Sequence, residues 1–160
     1  MKYTPYIIGK LINLRSFHIE DKINYRSWLD NATVTKYMEM GYRPSNEYNI
    51  EEVYKEANFS ENNIVMIIED KNNKPIGVVG LYCINWIIKK SEFRILIGET
   101  DYYGKGYGTE ATKLILNYGF NRLNLETIYL GVNEENISAY KTYLKAGFVK
   151  EGVRRNFVYN

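Results

Sequence analysis

The sequence has little or nothing of several features, and each absence excludes a class of protein. Its single cysteine, Cys83, rules out an internal disulfide and fits a reducing compartment, so we expect a cytoplasmic protein. No apolar run approaches the ~20 residues of a membrane span, and the start shows no signal-peptide pattern. The net charge is only +2, which does not indicate a nucleic-acid binder.

The rare residue types carry no obvious chemistry. Cys83 lies in an apolar run, where a small buried hydrophobic residue is expected rather than a nucleophile. His18, the only histidine, precedes the first predicted helix, and we expect a structural role for it. With 160 residues, the chain is predicted to form one domain over residues 1–160, large enough for a substantial core.

Hydrophobic periodicity predicts ten elements in the order β-α-α-β-β-β-α-β-α-β. In the first helix, Ile23, Arg26, Trp28 and Leu29 are expected near the inner side. The predicted strands cover residues 10–17, 63–69, 75–85, 91–99, 127–132 and 148–159, and the helices cover residues 19–30, 49–59, 109–123 and 136–146. This order predicts an α/β domain with a mixed sheet and one parallel strand pair around helix 109–123.

A glycine-rich loop joins the strand at residues 91–99 to the helix that follows. Gly104, Gly106 and Gly108 occupy alternate positions, which lets a ligand approach the backbone closely. The helix N-terminus after the loop favours an anion, and a pyrophosphate is the expected ligand. The sequence argues against a nucleoside-triphosphatase loop, because no Lys-Ser/Thr pair follows the glycines. It also argues against a dinucleotide site, because the loop does not follow the first strand of a βαβ unit with an acidic residue at the end of the next strand.

This loop and two later motifs resemble the GNAT superfamily of acyl-CoA-dependent N-acyltransferases. The motifs are residues 104–111, residues 133–136 and residues 143–148. The resemblance implies a mixed, mostly antiparallel sheet with a splayed parallel pair and flanking helices. It also implies acetyl-CoA (coenzyme A) as co-substrate, without a metal. Tyr103 departs from the family pattern, since Arg or Gln usually stands at this position.

The resemblance also implies which residues hold the cofactor. The strand before the loop would contact the acyl group through its backbone, and the loop would bind the pyrophosphate. The implied cofactor-binding residues are Ile95, Leu96, Ile97, Tyr103, Gly104, Lys105, Gly106, Tyr107, Gly108, Thr109, Asn133, Asn136 and Ala139. For Asn136, a helix-capping role is an equally good interpretation.

Two residues are predicted to be catalytic. Tyr143 lies on one helical face with Asn136 and Ala139, and the resemblance implies that it is the general acid near the sulfur. Glu92 opens the central strand, where many family members carry a carboxylate that deprotonates the amine through water. The plainer interpretations are a packing tyrosine and a solvated glutamate. Glu99 is the rival base, but it lies beside the phosphate loop, too far from the thioester.

The acceptor amine is less constrained. The resemblance is closest to the branch that includes ribosomal-protein N-terminal acetyltransferases and spermidine N-acetyltransferases, and residues 84–93 look like the spermidine enzymes. Where those enzymes carry glutamates, however, this chain has Gly80 and Cys83. We therefore expect a small-molecule amine, such as an amino sugar, or a protein N-terminus, with spermidine as the alternative. Aromatic residues suited to stacking are Tyr37, Tyr42, Tyr82 and Trp86.

Two further expectations concern assembly and activity. GNAT members usually end with a hairpin, and residues 158–160 stand about where its turn should begin, so the last strand is expected to be missing. An unpaired edge invites pairing with another subunit, which favours a homodimer. A module that binds acyl-CoA without catalysis is the alternative to an enzyme.

Overall fold

The computed structural model of the protein describes residues 2–38 and 41–154. Within these ranges, six strands form one sheet whose spatial order follows the chain order. Strands β1 to β5 pair antiparallel, and β6 pairs parallel with β5. The strands are β1 (Ile7–Ile8), β2 (Ile12–Ser16), β3 (Ile64–Asp70), β4 (Pro75–Asn85), β5 (Lys90–Ile97) and β6 (Thr127–Tyr129).

Helices cover both faces of this sheet. They are α1 (Asp21–Leu29), α2 (Ala32–Thr35), α3 (Glu47–Phe59), α4 (Tyr107–Asn117) and α5 (Ile137–Lys145). A short 3₁₀ turn (Thr100–Tyr102) precedes the glycine loop, and α4 continues into a π-helical turn (Tyr118–Arg122). The mixed, mostly antiparallel sheet with one parallel pair confirms the predicted fold class.

Two hydrophobic cores lie on opposite faces of the sheet. Alternate side chains along a strand point to opposite faces, so neighbouring residues of β5 join different cores. Phe93 packs with Ala111 and Ile115 of α4, whereas Leu96 packs with Trp28 of α1 and Val53 of α3. The strand β5 therefore separates an α4 face from an α1–α3 face, and both become important for the site.

The parallel pair separates soon after it begins. Its register covers only Lys90 to Glu92 of β5, although β5 continues to Ile97. The N–H of Gly98 donates to the carbonyl of Ile76 on β4 at 2.8 Å. Because backbone groups alternate along a strand, the N–H and C=O of Ile95 and Ile97 point away from β4. They line an opening beside β5, hereafter the gap, which confirms the predicted splay.

The β1–β2 turn is tied to the start of α4 by a single carboxylate. Glu110 accepts hydrogen bonds from the backbone N–H groups of Lys10, Leu11 and Ile12, at 3.1, 2.7 and 2.9 Å. The edge strand β1 was not predicted, because two residues are too short for a periodic pattern.

A buried ion cluster joins β2, β3 and α1. Arg15 donates to both carboxylate oxygens of Asp21, at 2.8 and 3.0 Å, and to Glu69 at 2.7 Å. All three side chains are at most 3% exposed. The Tyr3 ring covers the Arg15 guanidinium at 4.8 Å, and His18 stacks on Tyr3 with ring centroids 3.7 Å apart. His18 thus has the structural setting that the sequence indicated.

Three predictions about single segments were wrong. Ile23, expected on the inner side of α1, is 78% exposed, because Tyr25 and Trp28 make the contact of this helix with the core. Cys83 is exposed rather than buried, because the β4–β5 register shifts between Tyr82 and Asn85 and its φ of +52° turns it outward. Residues 148–154 form no strand, because no described segment pairs with them; the rest of that predicted strand lies outside the described residues.

The remaining predicted elements are confirmed with small changes at their ends. α3 starts two residues earlier than predicted, at Glu47, and β6 ends three residues earlier, at Tyr129. Gly147 has a φ of +106°, as expected for a residue that ends a helix. In the part of the chain that the structure describes, no helix has the length and apolar character to cross a membrane.

Candidate active site

The glycine loop has the backbone conformation that only glycine adopts without strain. Gly104 and Gly106 have φ values of +71° and +88°, in the left-handed region. Gly106 is the N-cap residue of α4, and a Cβ built on Gly104 would meet no atom within 4 Å. The loop is therefore open to a ligand, and the free N–H groups of α4 lie directly behind it. These features fit a pyrophosphate.

Gly108 connects the loop to the gap. A Cβ built on Gly108 would lie 3.8 Å from Ile97 Cγ1 and 4.0 Å from Thr142 Cγ2. The glycine thus faces the point where β5, α4 and α5 converge. The Thr112 hydroxyl donates to the Gly108 carbonyl at 2.7 Å and fixes this turn. A side chain here would enter the space between β5 and α5.

Tyr103, which stands where the family has Arg or Gln, reaches the end of the gap. Its hydroxyl donates to the Ile97 carbonyl at 3.1 Å, and partial burial raises the pKa of Tyr103. The other loop side chains contribute packing or remain in solvent. Tyr107 packs edge-on against Tyr102, Lys105 is exposed, and Thr109 is partly buried in the first turn of α4.

The three residues of β5 expected at the acyl group divide into two kinds. The backbones of Ile95 and Ile97 face the gap, as described above. The backbone N–H and C=O of Leu96, like those of Gly98, point towards β4. The side chain of Leu96 joins the core on the α1–α3 face. Ile95 and Ile97 are therefore the residues whose N–H groups could contact a ligand in the gap.

The start of α5 is organised by two asparagines. Asn136 Oδ1 accepts the N–H of Ala139 at 3.3 Å, so the capping interpretation is confirmed. Asn133 Oδ1 accepts the N–H of Glu135 at 2.9 Å. Both amide side chains hold local turns, and Ala139 is a partly buried residue of the same helix.

Tyr143 of α5 lies on the α4 face of β5. Its ring packs edge-on against Phe93 and Phe148, with centroid distances of 5.8 and 6.0 Å. Burial raises the pKa of Tyr143 to about 12, so the hydroxyl is protonated at neutral pH. None of the described residues hydrogen-bonds this hydroxyl, which leaves its proton available to a ligand.

Glu92 lies on the opposite face of β5. Its carboxylate accepts hydrogen bonds from Arg94 Nε at 3.1 Å and Nη2 at 3.4 Å. The Arg94 guanidinium also lies 4.5 Å above the Tyr82 ring. The two predicted catalytic residues thus approach β5 from opposite sides, Tyr143 from the α4 face and Glu92 from the α1–α3 face.

Glu99 has a structural partner instead of a place in the gap. Its carboxylate accepts the Trp28 indole N–H at 3.0 Å. Trp28 packs so closely on Gly98 that a Cβ there would lie 2.1 Å from its ring. Glu99 and Trp28 together fix α1 to the end of β5.

A cavity of about 310 Å³ lies on the α1–α3 face, between α1, α3 and β5; we call it the α3 cavity. Two glutamates of α3, Glu52 and Glu56, line it, and so does Arg94 of β5. Its other walls include Tyr25, Arg43, Asn49, Val53, Val78, Tyr82, Ile95 and Leu96. The cavity therefore reaches β5 at Ile95, whose backbone also faces the gap.

The two cavity glutamates were missed in the sequence. The available signal was their spacing of four residues on a helix, which places both on one face. The aromatic residues expected to surround the acceptor are dispersed. Tyr82 lines the cavity, Tyr42 is 75% exposed, and the Trp86 indole donates to the Glu61 carbonyl near the β4–β5 turn. Tyr37 donates to the Glu135 carbonyl at 3.2 Å.

Comparisons with known proteins agree with this geometry. A family model described as the acetyltransferase (GNAT) domain matches residues 12–149. The chain is 36% identical, over 143 residues, to the spermidine N(1)-acetyltransferase of Escherichia coli K12; the match covers 88% of this chain and 74% of that protein.

Solved structures show the same fold. A crystal structure of spermidine N-acetyltransferase from Vibrio cholerae, in complex with CoA and spermine, superposes with a TM-score of 0.79 and 30% identity. The match covers 90% of this chain and 84% of that one. A GNAT-family acetyltransferase from Bacillus anthracis, 22% identical, superposes with a TM-score of 0.78 and covers 91% of this chain and 84% of that one. From its motifs, its fold and these matches, the chain belongs to the GNAT acetyltransferase family and is an enzyme that uses acetyl-CoA as co-substrate.

Proposed function

We propose that the enzyme acetylates a primary amine of a linear polyamine such as spermidine. The observation that carries this proposal is the α3 cavity, in which two carboxylates face the strand that borders the gap. The names of the relatives support the same acceptor. The sequence argued against a polyamine because Gly80 and Cys83 replace glutamates on β4. The glutamates of α3 supply negative charge from another element.

The charge distribution of the cavity suits a cationic acceptor at its α3 side. Glu52 and Glu56 are one helical turn apart and both line the cavity. Burial and, next, the charge of Glu56 raise the pKa of Tyr25 to about 12. An ammonium group between the two carboxylates would be paired with opposite charge, which a buried cation requires. We therefore assign the distal ammonium of the acceptor to Glu52 and Glu56.

The residues around the gap would hold acetyl-CoA, which supplies the acetyl group as a thioester. The amides at the start of α4 would bind the pyrophosphate, and Gly104, Gly106 and Gly108 keep the approach open. The N–H of Ile95 would donate to the thioester oxygen as negative charge develops on it. Ile97, with Tyr103 on its carbonyl, closes the end of the gap.

Two side chains would move protons. Glu92 has lone pairs beyond those that Arg94 uses, and we propose that it accepts the proton of the amine through water. Tyr143 would donate to the departing sulfur as general acid. Its pKa of about 12 exceeds the ~8.5 of a thiol, so its main contribution would be a strong hydrogen bond to the developing thiolate.

The test combines binding with thiol release. Titration calorimetry with acetyl-CoA establishes the cofactor, and release of free thiol is then measured with spermidine, an amino-sugar nucleotide and an N-terminal peptide. We expect the highest kcat/KM for spermidine. In the Glu92→Gln variant, we expect kcat to fall about a hundredfold with unchanged acetyl-CoA affinity.

Each other outcome overturns a defined part of the proposal. Cofactor binding without thiol release on any amine would indicate a non-catalytic acyl-CoA-binding module. Preference for the peptide or the amino sugar would show that the acceptor is wrong. Unchanged kcat in Glu92→Gln would remove Glu92 from the proton transfer.

A further inference from the structure

We propose that Arg94 determines acceptor specificity by setting a minimum separation between the reacting amine and the second positive charge of the acceptor. The inference rests on the proposed function, since it requires an amine acceptor in the α3 cavity. Arg94 carries a positive charge, as the proposed acceptor does. A positive charge in the wall of the α3 cavity would repel this acceptor, so its presence needs an explanation.

The Arg94 guanidinium is held in place on two sides. Glu92 accepts hydrogen bonds from two N–H groups of Arg94. The Cζ atom of Arg94 lies 4.5 Å from the centre of the Tyr82 ring. Arg94 lines the α3 cavity, whereas Glu92 is not among the described residues that do so. Of this ion pair, the guanidinium is therefore the group that lines the cavity. The β5 side of the cavity presents positive charge.

The α3 side presents the opposite charge, through Glu52 and Glu56. Arg43, the other basic residue among the described lining, is exposed, and its guanidinium lies 5.7 Å from the ring of the exposed Tyr42. The cavity is therefore polar along its length, positive beside Ile95 and negative at α3. An acceptor with two amino groups would experience opposite fields at its two ends.

This polarity has a consequence for the length of the acceptor. The amine that attacks beside Ile95 must be neutral, and a neutral amine is favoured near Arg94 because like charges repel. The second amine stays charged and is stabilised only if it reaches Glu52 and Glu56. A short diamine holds its ammonium beside Arg94, whereas a longer one spans the cavity. Arg94 therefore discriminates against short diamines.

The experiment compares amines of different length across variants at this position. We would measure kcat/KM for ethylenediamine, putrescine and cadaverine, with butylamine as the acceptor without a second charge. The enzymes are wild type, Arg94→Gln, which removes the charge, and Arg94→Lys, which keeps it. Each amine is compared with itself across the variants, so its own pKa cancels.

We expect Arg94→Gln to raise kcat/KM for ethylenediamine, relative to butylamine, by about tenfold, with a change below about threefold for cadaverine. Arg94→Lys should retain the wild-type preference. Added salt should weaken the preference in wild type and in Arg94→Lys, because screening shortens the range of the repulsion. Titration of each diamine into the coenzyme A-loaded protein should show the same order of affinities.

Two results would overturn the inference. In one, Arg94→Gln changes kcat/KM for all four amines by the same factor, which would make Arg94 a purely structural residue. In the other, Arg94→Lys behaves like Arg94→Gln, which would show that shape and not charge matters. A failure of the proposed function is distinguishable, because wild-type enzyme would then fail to acetylate spermidine, which is measured alongside the four amines.

Discussion

Tyr143 combines a fixed ring with a free hydroxyl, which suits a proton donor. Phe93 and Phe148 hold the ring edge-on, and none of the described residues takes the hydroxyl proton. The same burial that fixes the ring raises the pKa to about 12. A raised pKa keeps a tyrosine neutral to higher pH, so the donor persists throughout the range in which amines become nucleophilic.

We expect Tyr143→Phe to lower kcat about a hundredfold while the affinity for acetyl-CoA stays within twofold, because only the hydroxyl is lost. In wild type, kcat should not fall between neutral pH and pH ~10, since ionisation of Tyr143 begins only near its pKa of about 12. Release of free thiol, measured as a function of pH, gives kcat for both enzymes, and titration calorimetry gives their affinity for acetyl-CoA. A basic limb near pH 9 that disappears in Tyr143→Phe would contradict this assignment.

The residues that the sequence located correctly are those fixed by local spacing. Asn136 caps α5 and Gly147 ends it, and both follow from positions within one helix. Glu52, Glu56 and Arg94 gain their setting only when α3 and β5 face each other across the cavity. Such pairings join residues about forty positions apart, and no periodicity in one segment reports them. The prediction that Cys83 is buried was wrong for a similar reason, because a register shift between β4 and β5 turned this residue outward.

Three elements, β5, α4 and α5, converge at Gly108. The shape of the site at this point is set by how these elements pack against each other. The loop glycines are not equivalent there. Gly106 has a φ of +88°, so any side chain at that position strains the backbone. Gly108 lies inside α4, and its Cβ would have ordinary contacts of 3.8 and 4.0 Å. A substitution at position 108 can therefore change ligand binding without destabilising the fold.

We expect Gly108→Val to leave thermal stability within a few degrees of wild type, because valine has a slightly higher helix propensity than glycine and the Cβ has room at this position. Affinity for acetyl-CoA should fall at least about tenfold, since the added methyl groups enter the space between β5 and α5. Calorimetry measures the affinity, and Lys113→Ala on the exposed side of the same helix is the control. Wild-type affinity in a folded Gly108→Val protein would place the cofactor elsewhere.

Among the secondary-structure elements, helices were predicted from the sequence better than strands. The apolar spacing of α3 and α4 is a property of one segment. Both helices were located within a few residues, when the π-helical turn that continues α4 is included. A strand instead needs a neighbour that satisfies its backbone. Residues 148–154 have the composition of a strand but no pairing segment among the described residues. The edge strand β1 shows the converse, because two residues became a strand only through pairing with β2.

The molecule as a whole is organised around a sheet with one core on each face, and a buried charge cluster lies within the α1–α3 side. Arg15 is 2% exposed and carries a single positive charge between the carboxylates of Asp21 and Glu69. One oxygen of Glu69 is buried without a hydrogen-bond partner among the described residues. The cluster connects β2, β3 and α1, and α1 in turn positions Trp28 beneath β5. Its integrity therefore supports the site from a distance.

Removal of Arg15 should be far more damaging than removal of an exposed arginine. We expect Arg15→Met to lower the free energy of unfolding by about 3–5 kcal/mol, because two buried carboxylates lose the one cation that pairs with them among the described residues. The control is Arg26→Met, whose ion pair with Glu47 is exposed and should contribute less than about 1 kcal/mol. Urea unfolding followed by tryptophan fluorescence measures both variants.

A second substitution separates lost pairing from lost packing in the same cluster. Adding Glu69→Leu to Arg15→Met removes one of the stranded carboxylates and keeps the volume of the site nearly unchanged. We expect the double variant to regain at least about 1 kcal/mol of the lost stability, since an apolar side chain needs no partner in this setting. If the double variant is instead less stable than Arg15→Met alone, the cost of losing Arg15 arises from its packing, and the buried charges are not what the arginine compensates.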